Sequence, residues 1–186
     1  MKLPTIVFNI NKKQKAEKER KKKWDIRMMK ASKHIGTWSK DLSTKVGCVI
    51  VNDENRIIAT GYNGFPAGVH EDEERFFRPL KYKYTEHSER NAFYYAAKEG
   101  IALKGCTLYV DWIPCADCAR GIIGVGLKRV VIEDPNHNFE RWGEDFKITL
   151  TMLKEAGIEV EVFNEFDKEL WKGFDTKGYN GDSGEF

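Results

Sequence analysis

The sequence predicts an α/β fold in which helices are layered around a mixed sheet. Three observations support this: an amphipathic helical pattern comes first, two β-rich runs follow as a hairpin, and helical and strand-like patterns then alternate. The chain has 186 residues, of which 41% are hydrophobic and 12% aromatic. This length and composition suit one globular domain with a full-sized hydrophobic core.

The first half predicts one helix, one hairpin and two loops. Apolar residues at loosely helical spacing among charges predict an amphipathic helix over residues 24–39. The β-rich runs at 46–51 and 56–62 are separated by four polar residues, which is typical of a hairpin. Three glycines and a proline indicate a shaped loop at 61–68, and the long charged and aromatic stretch at 69–86 is typical of a functional or mobile loop.

The second half alternates helices with strands. One helix is predicted at 87–98, where Gly100 ends it, and another enters at Pro114, whose missing N–H costs little in a first turn. The remaining elements are strands at 106–110, 130–132 and 158–163 and a helix at 146–156.

Charge and composition limit the partners. The formal net charge of +2 is too small for a whole-molecule attraction to nucleic acid or to an anionic membrane. A local basic excess at 12–23 is interpreted as a solvated, helix-prone or disordered segment in preference to a phosphate-binding patch. We therefore expect a basic extension at 1–23, one domain at 24–164 and a polar tail at 165–186. The tail has apolar residues at helical spacing, which are expected to dock on the domain or on a neighbouring subunit: Phe166, Leu170, Trp171 and Phe174.

The sequence favours a cytoplasmic protein. It has no run of about 20 apolar residues for a membrane span, and its basic block follows the apolar opening, which is the reverse of a secretory signal. Cys48 and Cys106 lie in apolar strand-like runs and are expected to be buried thiols. A reducing cytosol fits all four cysteines.

The most specific chemical pattern is His87-Ser88-Glu89 followed by Cys115 and Cys118. An imidazole and two thiolates from helix N-termini can hold one zinc ion, and three protein ligands leave the fourth position open, as in catalytic sites. Glu89 need not bind the metal and can act as a proton carrier beside it. The alternatives are a redox-active Cys-x-x-Cys pair, or half of a structural zinc site completed by a stray histidine such as His34, His70 or His137.

Several motifs resemble the deoxycytidylate (dCMP) deaminases, zinc enzymes of the cytidine-deaminase-like fold. The resemblance runs from about residue 24 to 163 and rests on the motifs Ser39-Lys40-Asp41, Gly61-Tyr62-Asn63-Gly64-Phe65-Pro66, His87-Ser88-Glu89-Arg90-Asn91-Ala92 and Pro114-Cys115-Ala116-Asp117-Cys118-Ala119. It implies a three-layer α/β/α sandwich around a five-stranded mixed sheet.

The resemblance also implies residue roles. His87, Cys115 and Cys118 would bind Zn²⁺, and Glu89 would carry the protons in the hydrolysis of dCMP to dUMP and ammonia. Ser88 stands where the family typically has alanine, at a position whose backbone N–H holds the base. Ile113 would offer its backbone carbonyl to the amine.

Two further substrate contacts have structural alternatives. Asn63 matches the family's asparagine near the sugar, but it could equally be a turn residue in the left-handed αL conformation. Arg120 is the candidate for the 5′-phosphate, and an ordinary ion pair is the alternative.

Regulation and assembly follow from the resemblance as well. It implies activation by dCTP, inhibition by dTTP with Mg²⁺, and a homo-oligomer, for example a hexamer. We expect the nucleotide triphosphate near Lys40, Gly64, Phe65 and Gly68, because a glycine-rich backbone lets phosphates approach closely. The competing functions are deamination of tRNA adenosine, free cytidine or guanine, and a non-catalytic zinc-stabilised nucleic-acid-binding module. Nucleic acid is the less expected partner, because the only basic block lies in the extension.

Overall fold

The computed structural model describes the backbone of residues 4–133 and 139–163 and the side chains of residues 13–133 and 144–163. The helices are α1 (Pro4–Gly36), α2 (Lys81–Tyr84), α3 (Ser88–Lys98), α4 (Ala116–Gly124) and α5 (Phe139–Glu155). The strands are β1 (Gly47–Val51), β2 (Ile57–Tyr62), β3 (Thr107–Val110), β4 (Arg129–Glu133) and β5 (Glu159–Phe163). None of the helices in these ranges is long and apolar enough to cross a membrane.

The five strands form one mixed sheet in the order β2-β1-β3-β4-β5. The hairpin strand β1 is antiparallel to both β2 and β3, whereas β3, β4 and β5 are mutually parallel. Parallel neighbours need a crossover, and α4 and α5 provide the two crossovers. The predicted mixed sheet of five strands is confirmed.

Helices cover both faces of the sheet. Along β1, Cys48 and Ile50 point into the larger core beneath α3, α4 and α5, and Val49 and Val51 point into the smaller core beneath α1. Side chains alternate between faces along a strand, so a strand buried on both faces is apolar at every position. The predicted three-layer α/β/α sandwich is therefore confirmed, with α1 alone forming one outer layer.

Two helix starts and one loop differ from the prediction. Helix α1 begins at Pro4, not at residue 24, and runs through the basic stretch without a break before ending at Gly36. Helix α5 begins at Phe139, seven residues earlier than predicted. The stretch at 69–86 contains a 3₁₀ turn (Glu73–Phe76) and α2. The other elements agree with the prediction to within about two residues at each end.

A buried ion pair between Lys81 and Asp41 connects the stretch at 69–86 to the rest of the domain. The Lys81 ammonium lies 2.9 Å from both oxygens of Asp41, and both side chains are buried. Burial alone would raise the pKa of Asp41, but the hydrogen bonds from Lys81 and from the Ser43 and Thr44 backbone N–H groups outweigh it and lower that pKa. Lys81 thus anchors to the domain the stretch that was predicted to be a functional or mobile loop.

A glycine in β2 allows α3 to lie directly on the sheet. A Cβ atom on Gly61 would stand 2.0 Å from the carbonyl oxygen of Ser88 and 2.8 Å from the backbone nitrogen of Ala92. Any side chain at this position would separate the strand from the helix. Gly61 therefore sets the position of the first turn of α3, which carries the candidate site.

Candidate metal centre and active site

Two helix N-termini bring the predicted metal ligands together. His87 is the N-cap of α3, Cys115 is the N-cap of α4, and Cys118 lies in the first turn of α4. The Nδ1 atom of His87 lies 3.5 Å from Sγ of Cys115 and 3.6 Å from Sγ of Cys118. The three ligand atoms all lie within 4.8 Å of one another.

These distances fit a tetrahedral zinc ion. With bonds of about 2.05 Å to nitrogen and about 2.3 Å to sulfur, tetrahedral angles place the nitrogen and each sulfur about 3.6 Å apart. The observed separations of 3.5 and 3.6 Å match this value. The donor set is also one that zinc prefers, since it joins one imidazole with two thiols.

The centre is open on one side. His87 is exposed, Cys115 is half-buried and Cys118 is buried, so the ligand cluster faces solvent through His87. Within the described ranges, no histidine, cysteine or carboxylate joins the group as a fourth ligand. His34 instead packs edge-on against Trp38, and the backbone carbonyl of His70 accepts a hydrogen bond from Arg75. His137 lies outside the described residues.

The ligand side chains polarise one another. The hydrogen bond from the Cys118 thiol is the largest cause that lowers the pKa of Cys115, to about 3, and the same bond raises the pKa of Cys118. The hydrogen bond with Cys115 also raises the pKa of His87. Metal binding must therefore displace the protons on Cys118 and His87, which makes the zinc affinity depend on pH.

Glu89 lies in the first turn of α3, directly beside the ligands. It is only 3% exposed, and its carboxylate accepts a 2.9 Å hydrogen bond from the hydroxyl of Ser88, which is fully buried. The partial positive charge of a helix N-terminus favours a carboxylate at this position. The structure thus brings the predicted proton carrier to the predicted metal centre.

Arg90 is a site residue that the sequence analysis missed. Its Nη1 atom lies 3.5 Å from Sγ of Cys118 and 3.9 Å from Sγ of Cys115. The Nε–H group donates to Glu86 at 2.6 Å, and Asp117 lies 3.9 Å from Nη1. The guanidinium places a positive charge beside both sulfurs, which favours their thiolate forms. The sequence feature that could have indicated Arg90 is its position three residues after His87, because this spacing places both residues on one face of α3.

Asn63 holds the loop that leads into β1. Its Oδ1 accepts from the Val46 backbone N–H at 2.8 Å, and its Nδ2 donates to the Thr44 carbonyl at 2.8 Å. Asn63 is 7% exposed, and it is not among the residues with positive φ, so its interpretation as an αL turn residue is wrong. Its contact with the sugar stays a prediction.

The other predicted substrate residues lie around α4. Ile113 is buried directly before Pro114, in the segment between β3 and α4. Arg120 is exposed and forms an ion pair with Asp117 one turn earlier, which is the structural alternative considered for it. Tyr109 of β3 does not belong to this group, because it points to the opposite face of the sheet, where its hydroxyl donates to Asp25 at 2.7 Å.

Most of the predicted effector residues share one cleft. Lys40, Gly64 and Phe65 line it together with Glu71 and Thr85, whereas Gly68 is not among its lining residues. Lys40 is paired with Glu71 at 2.5 Å. The Gly64 N–H donates to the Glu86 carbonyl, and the Gly64 carbonyl accepts from the Glu86 N–H. A phosphate group that binds Lys40 in this cleft would have to replace the Glu71 carboxylate as its ion-pair partner.

The fold and the site together define a class of protein. An α/β/α sandwich carries a solvent-facing cluster of one histidine and two cysteines that could hold a metal ion, and the buried carboxylate of Glu89 lies in the same helical turn. Three candidate ligands with a carboxylate near them are typical of metal-assisted hydrolases.

Comparison with known proteins specifies the class. The family described as "Cytidine and deoxycytidylate deaminase zinc-binding region" matches residues 22–134. The chain is 39% identical over 139 residues to an uncharacterized deaminase encoded in the luxG 3' region of Aliivibrio fischeri, covering 74% of this chain and 92% of that protein. It is 40% identical over 132 residues to the deoxycytidylate deaminase of Homo sapiens, covering 67% and 71%.

A solved structure agrees with these relatives. The dCMP deaminase of cyanophage S-TIM5, crystallised in complex with dCMP and dUMP, superposes with a TM-score of 0.59 at 28% identity. The alignment covers 73% of this chain and 93% of that one. The chain belongs to the cytidine and deoxycytidylate deaminase family, a family of hydrolytic deaminases with a zinc-binding region.

Proposed function

We propose that this chain hydrolyses dCMP to dUMP and ammonia and so acts in pyrimidine deoxynucleotide metabolism. The observation that carries the proposal is the convergence of His87, Cys115 and Cys118 beside the buried Glu89. The substrate is suggested by two similar proteins: the human relative is named a deoxycytidylate deaminase, and the cyanophage enzyme was crystallised with dCMP and dUMP.

In the proposed mechanism the chain supplies ligands and a proton path. His87 Nδ1 and the two cysteine sulfurs would hold zinc, which lowers the pKa of a bound water from 15.7 toward about 7. The Glu89 carboxylate accepts a proton from the attacking water and delivers it to ring N3 of the cytosine. The water oxygen bonds to C4 as N3 is protonated, and Glu89 then moves the remaining proton of that oxygen to the amino group. Cleavage of the C4–N bond releases ammonia and leaves the C4 carbonyl of the uracil base.

Four residues supply the proposed substrate contacts. Ile113 would accept a hydrogen bond from the amine through its backbone carbonyl, and the Ser88 backbone would hold the base. Asn63 keeps one N–H and one lone pair beyond its two backbone hydrogen bonds, so it can still meet a ribose hydroxyl. Arg120 could bind the 5′-phosphate if the phosphate replaces Asp117 as its ion-pair partner.

Glu89→Ala separates a deaminase from a zinc-stabilised binding module. The variant should keep its metal and its fold but lose turnover of dCMP, with ammonia release as the readout and metal content as the control. In a zinc-stabilised binding module the substitution would change neither metal content nor folding, and neither protein would release ammonia from dCMP. Equal turnover in the wild type and in Glu89→Ala would contradict the proposed role of this carboxylate.

Deamination of tRNA adenosine is the alternative that one observation favours. The basic residues of α1 between 13 and 23 are exposed, although Lys21 among them already pairs with Glu159 and Glu161. Binding of tRNA through them should weaken steeply as salt rises, whereas turnover of a mononucleotide should be largely insensitive to salt. Inosine formed in tRNA at a rate above that of dUMP formation would favour the alternative.

We also propose that dCTP activates the enzyme and that dTTP with Mg²⁺ inhibits it in a homo-oligomer, for example a hexamer. The shared cleft of Lys40, Gly64 and Phe65 supports the effector site, and the Lys40–Glu71 ion pair suggests how a triphosphate would compete for it. Lys40→Ala should abolish activation by dCTP while zinc is retained, and Glu71→Gln should strengthen it. Unchanged activation in Lys40→Ala would remove this residue from the site.

The proposed compartment is the reducing cytoplasm. Cysteines 48, 106, 115 and 118 form no disulfide, and two of them must stay reduced to serve as metal ligands.

A further inference from the structure

We propose that Ser88 is a positioning residue that holds the Glu89 carboxylate in its working orientation. This inference rests on the proposed role of Glu89 as the proton carrier. It starts from a hydrogen bond between neighbours: the Ser88 hydroxyl donates to Oε2 of Glu89 at 2.9 Å. No other hydrogen bond to this carboxylate is present among the residues whose side chains the structure describes.

The geometry of a helix makes this contact informative. Successive side chains on a helix point about 100° apart and do not normally meet. A hydrogen bond between residues 88 and 89 therefore selects particular rotamers of both side chains. Glu89 has three rotatable side-chain bonds, and holding it in one orientation costs conformational entropy that the hydrogen bond from Ser88 helps to offset.

Ser88 itself is rigidly placed. It is fully buried, and its carbonyl oxygen accepts a hydrogen bond from the Cys48 thiol at 3.2 Å. Gly61 leaves no room between β2 and this carbonyl, since a Cβ there would stand 2.0 Å from it. The backbone that carries the hydroxyl is thus supported by the sheet, and the hydroxyl itself donates to Glu89.

The two oxygens of the Glu89 carboxylate therefore have different roles. Oε2 is held by Ser88, and Oε1 is left to exchange protons with the water and with the base. Holding one oxygen keeps the other within reach of the reacting atoms through the cycle, which is the kind of preorganisation that raises kcat without tightening substrate binding.

Ser88→Ala tests the proposal, because it removes one oxygen and adds no bulk. We expect kcat for dCMP to fall about tenfold with KM and zinc content unchanged, the pattern of an interaction that acts on the chemical step. Crystals of the zinc-loaded variant should show the Glu89 carboxylate in more than one rotamer, or in a new one, while the wild type shows one.

Ser32→Ala is the matched control. Ser32 is also fully buried, and its hydroxyl donates to the Gly47 carbonyl at 2.9 Å, but on the α1 side of the sheet. It should leave kcat unchanged, which separates the loss of a buried hydroxyl in general from the loss of this one.

Three results would overturn the proposal: unchanged kcat in Ser88→Ala, a rise in KM without a change in kcat, or an unchanged single rotamer of Glu89. The second result would show that Ser88 contacts the substrate instead. These failures differ from a failure of the proposed function, in which wild-type protein gives no dUMP; the rotamer comparison decides the positioning role even then.

Discussion

Gly61→Ala should damage activity although residue 61 is not among the proposed substrate contacts. The new Cβ would stand 2.0 Å from the Ser88 carbonyl oxygen and 2.8 Å from the Ala92 nitrogen, both of which are backbone atoms of α3. An ordinary carbon-oxygen contact of about 3.2 Å or more requires α3 and β2 to separate by about 1.2 Å. That movement would shift the turn that carries His87, Ser88 and Glu89.

The expected losses can be estimated from this displacement. A misplacement of about 1 Å in catalytic groups costs about 100-fold in rate, and overpacking of this kind costs about 1–3 kcal/mol of stability. For a domain of this size the melting temperature should fall by roughly 2–12 °C. Steady-state turnover of dCMP measures the loss in rate and thermal unfolding measures the loss in stability, and zinc content is measured beside them.

Gly124→Ala is the matched control in the same domain. It lies at the end of α4, and a Cβ there would meet no atom within 4 Å. This variant should keep full turnover and the wild-type melting temperature. Gly61→Ala with turnover within twofold of wild type would refute the argument that this glycine sets the position of α3.

Three further predictions concern stability and metal. Because the folded-state pKa of Asp41 is lowered, its stabilisation is present above the unfolded value near 3.8 and is lost as pH falls through the folded pKa; urea unfolding of Asp41→Asn should show a flatter loss below pH 4 than the wild type. Asp25→Ala removes the 2.9 Å hydrogen bonds of the buried Arg129 and should cost about 3–5 kcal/mol in the free energy of unfolding, whereas a loss below about 1 kcal/mol would contradict the assigned burial of the pair. Zinc removal by a chelator should proceed faster at pH 5.5 than at pH 8, because protons compete for His87 and Cys118; release rates independent of pH would contradict the ligand assignment.

Much of the site was predictable because its chemistry is encoded locally. The His-x-Glu and Cys-x-x-Cys spacings each lie within one helical turn, and the helix start signals place both turns at N-termini. What the sequence could not give is how two turns from distant segments face each other. Arg90 was missed for that reason: its guanidinium reaches sulfurs 25 and 28 residues away along the chain.

The start of α1 was missed because hydrophobic periodicity reports burial and not helicity. Residues 13–23 are exposed and have no apolar stripe, but they are rich in lysine, arginine and glutamate, which are good helix formers. Glu17 and Lys21, and Glu19 and Lys23, also have the i,i+4 spacing that stabilises an exposed helix. A helix can therefore extend past the part of it that the domain buries.

The sequence also could not predict to which face of the sheet a given strand residue points. Tyr109 and Leu108 are adjacent in β3 and both buried, yet one packs beneath α1 and the other beneath α3, α4 and α5. Strand periodicity fixes that neighbours point to opposite sides, but the side on which the metal centre lies depends on which helices cover each face.

The most direct test of the central claim is the fate of water in the reaction. Zinc-loaded protein should be incubated with dCMP in ¹⁸O-labelled water, and dUMP and ammonia should be measured together. We expect equimolar products, one ¹⁸O atom at C4 of dUMP, and no product with Glu89→Ala. Folded, zinc-loaded wild-type protein that releases no ammonia from dCMP would contradict the proposed hydrolysis.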